Sequence, residues 1–124
     1  MNKIRNAKNI PMISQIAACA AIENKEYMSH YVAEVISARK VFESELSNIQ
    51  FNRFLKIFPS KANFILIRVF QNKKGELISF LESKNIFVRD VSLKTLTNDY
   101  IRITIGTRKQ MLIVIENLKE FYFK

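Results

Sequence analysis

The stretch at residues 87–107, FVRDVSLKTLTNDYIRITIGT, decides how the rest of the chain is read. It opens on apolar and β-branched residues, passes through a polar loop, and returns to a β-branched run that stops at Gly106, one of 2 glycines. That is the pattern of strand, loop, strand and turn. Strand residues alternate faces, so Tyr100, Arg102 and Thr104 share one face while Ile101, Ile103 and Ile105 share the other. The isoleucines claim a helix-covered core, and Arg102 projects from the opposite side. Arg89 stands in the preceding strand. A guanidinium so placed has two readings: a solvated or ion-paired side chain, or a fork of donors that grips a carboxylate bidentately.

Downstream, Thr107 and Gln110 have the spacing of a capping box that starts a last helix. Met111, Leu112, Ile115, Leu118 and Tyr122 are its expected buried side. Upstream, NKKGELISFLESKN reads as a short helix with Leu77, Ile78 and Leu81 inward and Asn85 as a left-handed stop. NFILIRVF is a β-branched and aromatic run fit for a well-buried strand, and FLKIF before it alternates weakly. Further back, Met28, Tyr31, Val32, Val35, Phe42, Leu46 and Ile49 form one apolar stripe on a helix of about six turns. The small apolar run MISQIAACAAI, from Met12 to Ile22, predicts a helix pressed against a neighbour. Residues 1–11 are polar, basic and end in proline, a lead-in to that helix.

A helical N-terminal part is thus followed by β, β, α, β, β, α. The expected fold is α+β: a long N-terminal helix plus a small, largely antiparallel sheet covered by helices. The 124 residues fit a single domain. Its expected parts are an entry segment at 1–11, helices at 12–49, and sheet with helices at 50–124.

Composition excludes several classes. Apolar residues are 48% and charged residues 25%, as in ordinary globular proteins. No apolar run approaches the roughly 20 residues that span a bilayer, and no signal core follows Lys3, Arg5 and Lys8. The expectation is a cytoplasmic protein, without a membrane partner. The net charge of +9 permits a polyanionic partner, because counterion release favours binding, but the cations are spread along the chain. A free-standing basic α+β module for nucleic acid or another polyanion is therefore the alternative reading.

Cys19, the only cysteine, excludes internal disulfides and thiolate metal sites, and reads as a small buried thiol. His30, the only histidine, reads as surface or satisfied core. No metal site is expected. Glu43 with Glu45 and Glu116 with Glu120 fit exposed helix faces, and Asp90 with Asp99 flank a loop, so no acid–base pair emerges. Phe51, Phe54, Phe58, Phe64 and Phe70 interleave with basic residues, but as strand residues they read as core before base-stacking platform.

PSKANFILIRV, LISFLESKNIFVRDV and YIRITIGT with its closing helix together resemble the C-terminal small domain of histidinol-phosphate aminotransferases, which are fold-type I, pyridoxal-phosphate-dependent enzymes. NKIRNAKNIPMISQIAACAAIENKEYMSHYVAEVISAR resembles the family's interdomain crossover and long helix, so the likeness covers essentially the whole chain. The resemblance implies that Arg102 binds the carboxylate of the substrate or of the glutamate or 2-oxoglutarate partner. It implies that Arg89 assists with an anionic group at the mouth of the site, and that Asn63 and Phe64 shape the strand near the cofactor. The loop SLKTLTND departs from the Pro–Gly of many relatives.

The same resemblance places the Schiff-base lysine, the aspartate on the pyridine nitrogen, the stacking tyrosine and the phosphate-binding residues ahead of residue 1. No catalytic or cofactor-binding residue is then expected here. Lys61, which follows a serine, reads as a surface lysine of the small domain. The implied complete enzyme is a homodimer that uses pyridoxal phosphate on small amino and keto acids. This chain alone is expected to hold no cofactor and to be inactive, with the large cofactor domain as its natural partner and nucleic acid not expected.

Overall fold

The computed structural model describes residues 10–48, 50–91 and 99–123. Two helices come first, α1 (Met12–Glu23) and α2 (Lys25–Leu46). Asn24 alone separates them: its N–H donates to the Ala20 carbonyl at 3.1 Å, and its Oδ1 accepts from the Tyr27 N–H at 3.1 Å. One residue thus closes one helix and caps the next. Strands β1 (Leu55–Phe58) and β2 (Phe64–Val69), helix α3 (Lys74–Ser83), strands β3 (Arg89–Asp90) and β4 (Tyr100–Thr104) and helix α4 (Arg108–Phe123) follow. Among the described residues no helix is long and apolar enough to cross a membrane.

The chain divides into two compact units, one ending at Ala33 and one beginning at Glu34. In the first unit no described residue is buried. Ile13 and Ile16 of α1 are 78% and 62% exposed, and Cys19 is exposed as well. The expectation of a pressed helix with a buried thiol therefore fails for this chain, since side-chain size says how close a neighbour could come but supplies none.

The second unit is an α+β layer, as the alternation of periods predicts. All three strand pairings are antiparallel and the spatial order is β1-β2-β4-β3. One sheet face carries Leu55, Ile65, Ile67, Val69, Ile101 and Ile103, all buried. Over it lie Val35, Ala38, Phe42 and Leu46 of α2, Leu77 and Leu81 of α3, and Met111, Val114, Ile115 and Leu118 of α4. Each of these apart from Ala38 contributes about 1.5–3 kcal/mol by leaving water.

Several expectations need adjusting. β2 is buried on one face only, with Phe64, Leu66 and Arg68 half-exposed between buried neighbours. Of the expected strand IFVRDV only Arg89 and Asp90 form strand, with the Val91 N–H adding one bond to the Tyr100 carbonyl at 3.1 Å. On α4, Val114 rather than Leu112 completes the buried stripe. On α2, Met28, Tyr31 and Val32 are exposed. Ile49 and most of the SLKTLTND loop lie outside the described residues. Asn85 does take the left-handed conformation, with φ 59°.

The α4 cap forms as its spacing predicts. The Thr107 N–H donates to Gln110 Oε1 at 2.8 Å, and the Gln110 N–H donates to Thr107 Oγ1 at 3.3 Å. Gly106 suits this cap, because a Cβ there would make the Gln110 carboxamide turn aside.

Candidate substrate-binding face

The sheet face turned away from the helices holds the candidate site. Antiparallel partners share a face, so the register fixes its contents. Arg89 lies directly opposite Arg102, and Arg102 is in turn opposite Leu66 and Leu66 opposite Phe58. The two arginines singled out in the sequence are therefore cross-strand neighbours on one surface. Arg89 is exposed and Arg102 half-buried. The Arg102 guanidinium lies over the Phe64 ring at 4.9 Å, a cation–π contact that holds its plane. Its Nε is buried without a hydrogen-bond partner among the described residues. Among the described residues neither arginine forms an ion pair.

A second row runs beside the first: Lys56 opposite Arg68, and Arg68 opposite Tyr100. Arg68 is masked in the sequence by the apolar run around it, and the alternation of β2 places it among the outward-facing residues. Phe58 and Tyr100 approach at 6.0 Å, and with Phe64 they make the apolar part of this face. The aromatics expected in the core divide accordingly: Phe51 is buried, whereas Phe54, Phe58, Phe64 and Phe70 are half-buried.

Asn63 sets the end of this region. Its carbonyl accepts from the Ile105 N–H at 2.8 Å, extending the β2–β4 pairing by one bond. The preceding turn is tied to α2 by Arg39 Nη1, which donates to the Ala62 carbonyl at 2.8 Å. Lys61 is exposed on that turn. No described lysine is buried, so the residues present do not fit a pyridoxal phosphate, which needs an enclosed lysine to hold it.

Four of the carboxylates pair with cations instead of with one another. Lys74 Nζ meets Asp90 at 2.6 Å, Arg68 meets Asp99 at 3.5 Å, Lys84 meets Glu120 at 3.1 Å and Lys119 meets Glu45 at 3.0 Å. No cluster of three metal-ligating residues occurs among the described ones. A groove of about 450 Å³ lined by Phe87, Ile103, Met111 and Val114 includes neither Arg89 nor Arg102.

The profile of the family Aminotransferase class I and II matches residues 1–118. The chain is 44% identical over 122 residues to the dihydroxyacetone phosphate transaminase of Campylobacter jejuni, covering 98% of this chain and 32% of that protein. It is 34% identical over 127 residues to a histidinol-phosphate aminotransferase of Clostridium botulinum, covering 100% and 34%. The crystal structure of the histidinol-phosphate aminotransferase from Clostridium acetobutylicum superimposes with a TM-score of 0.82 at 24% identity, covering 97% of this chain and 36% of that one, which shows the shared fold. The chain spans about a third of the length of these relatives. With the sheet, its covering helices and the RIT strand in place, the chain belongs to the aminotransferase class I and II family, where it matches the C-terminal-like portion of the histidinol-phosphate aminotransferases.

Proposed function

We propose that this chain is the substrate-recognition portion of a larger pyridoxal-phosphate-dependent aminotransferase. In the complete protein the reaction is reversible transfer of an amino group between glutamate and a small phosphorylated keto compound. The observation that carries this reading is the facing pair Arg89 and Arg102 on the uncovered side of the sheet. Its substrate class draws on two relatives, whose names specify dihydroxyacetone phosphate and histidinol phosphate. Both are phosphate monoesters on short carbon frames.

In this reading Arg102 grips a carboxylate through its two Nη groups, with the ring of Phe64 beneath it fixing the fork. Arg89, one strand away, takes part of the charge of an anionic group at the mouth of the site. Movement of this portion against the cofactor-bearing part excludes water from the reacting atoms. The chain alone binds no cofactor covalently and transfers nothing.

A chimera tests this directly. The corresponding third of the Campylobacter jejuni relative is replaced by this chain, and amino transfer from glutamate to dihydroxyacetone phosphate is followed. The expected result is a folded, cofactor-loaded and active chimera in which Arg102→Ala lowers kcat/KM by at least about tenfold, the scale of one charged hydrogen bond. A loaded, active chimera indifferent to Arg102→Ala would refute the role of that arginine. Turnover, or visible absorbance of bound cofactor, in the 124-residue chain alone would refute its dependence on the missing part.

A further inference from the structure

The β3–β4 ladder ends early on the side toward α4. Arg89 faces Arg102 and the Val91 N–H donates to Tyr100, so Tyr100 and Arg102 turn their backbone groups toward β3. Ile103 and Ile105 turn theirs the other way, into the β2–β4 ladder, where the Ile105 N–H donates to Asn63. Thr104 therefore points its N–H and carbonyl past the end of β3. Its partner in register would be Phe87, yet no hydrogen bond joins the two. Among the described residues neither backbone group of Thr104 has a partner.

This free edge opens on the apolar groove of about 450 Å³ between the α3–β3 connection and the start of α4. Ile86, Ile103, Met111 and Val114 line it, and Phe87 and Ile113 border it while 79% and 43% exposed. Among the described residues its one charged lining side chain is Lys84, and no carboxylate lines it. Arg108 and Lys109 stand in the first turn of α4, beside the lining residues Gly106 and Gln110, with no acidic residue in that turn. Neither forms an ion pair among the described residues, and the helix dipole adds to their charge. An unpaired strand edge beside an apolar cleft captures extended peptides by strand addition. The cationic border favours an acidic one. A second copy of this chain, at net charge +9, would bring like charges together there.

We propose that this groove docks an extended, acidic segment of another polypeptide, which adds as a short strand to the free edge of β4 at Thr104. One residue of the segment exchanges both backbone hydrogen bonds with Thr104. The residue next to it, turned to the helix-covered side like Ile103 and Ile105, seats a large apolar side chain in the groove. Carboxylates further along meet Arg108 and Lys109. The segment binds independently of any group held by Arg89 or Arg102, neither of which lines the groove.

The test is a low-salt amide-shift titration of the 124-residue chain with three peptides. The first is acetyl-Asp-Glu-Val-Leu-Val-Glu-Asp-amide. The second carries lysine in place of every acid, and the third carries proline in place of both valines. The expected result is binding of the first, with the largest shifts at Phe87, Thr104 and Gly106, and affinity at least about tenfold weaker for the other two. Arg108→Glu combined with Lys109→Glu reverses the order of the acidic and lysine peptides, and Lys40→Glu, a charge control on α2, keeps it. Thr104→Pro removes the free N–H without touching the β2–β4 bonds, and weakens the acidic peptide about fivefold. If that variant fails to fold, the proline peptide tests the same pairing from the other side. Binding of no peptide, equal binding of the proline or lysine copy, or largest shifts around Arg102 would overturn the proposal. Shifts of Thr104 on dilution without peptide would assign the groove to a second copy of the chain, and overturn it as well.

Discussion

Arg89 and Arg102 face each other across the β3–β4 pair and leave the sheet on the same side. Like charges at directly opposite positions work against strand pairing, on a scale of about 0.2–1 kcal/mol. An anion bound between them reverses that sign, which links the pairing to the proposed role.

The isolated chain should therefore gain from losing one of the two. Arg89→Thr is expected to raise the thermal midpoint at low ionic strength. The gain should shrink as the Debye length falls from about 10 Å at 0.1 M salt to about 3 Å at 1 M. A lower midpoint at every salt concentration would show that Arg89 supports the fold in its own right.

The start of α4 depends on three residues acting together. Thr107 and Gln110 exchange hydrogen bonds, and Gly106 leaves room for the Gln110 carboxamide. Thr107→Ala should cost about 1 kcal/mol in denaturant unfolding. Gly106→Ala should cost a similar amount by pushing the carboxamide off its donor. Because both changes break one cap, the double variant should cost less than the sum, which a double-mutant cycle reads directly.

That cap and β4 were legible in the sequence because each rests on short-range spacing: isoleucines alternating with Tyr100, Arg102 and Thr104, and Thr107 three residues before Gln110. The facing of Arg89 and Arg102 was not legible. Alternation assigns a residue to a face, but only the β1-β2-β4-β3 order and its register say which residue lies beside it. FVRD shrank to a two-residue edge pairing because strand propensity does not guarantee a partner of equal length. Leu112 yielded to Val114 because residues 111, 114, 115 and 118 lie on one helical stripe and 112 does not. Arg68 was hidden by its apolar neighbours, whose burial turned out to be one-sided.

Cys19 marks the least legible segment, since small apolar residues predict contact and the thiol is exposed. It should react with an aromatic disulfide reagent in the folded chain at the rate of an unhindered thiol, without denaturant. By the same reasoning, Ile13→Ser and Ile16→Ser should leave the unfolding free energy of the second unit within about 0.5 kcal/mol. Phe42→Ala, which empties a fully buried position in that unit, should cost about 3–5 kcal/mol. Slow labelling of Cys19, relieved by urea, would show that α1 is covered in solution.

Tyr122 gives the fold an alkaline limit. Its ring stacks on Phe54 at 4.8 Å and meets Phe51 and Phe121 edge-on, while its hydroxyl is buried without a partner among the described residues. Burial withholds water from the phenolate and pushes the phenol well above its ordinary value. Below about pH 10 the phenol is neutral in both states, and its contribution to stability is fully present. Above that, the unfolded chain releases a proton that the folded chain keeps, so stability falls as pH rises toward the folded value. Tyr122→Phe removes both the ionisation and the unpaired hydroxyl. It is expected to unfold at or above the wild-type midpoint at pH 7, and to lose stability less steeply than wild type as pH climbs past about 10. Superimposable stability–pH curves for the two proteins would show that the Tyr122 hydroxyl reaches water in solution.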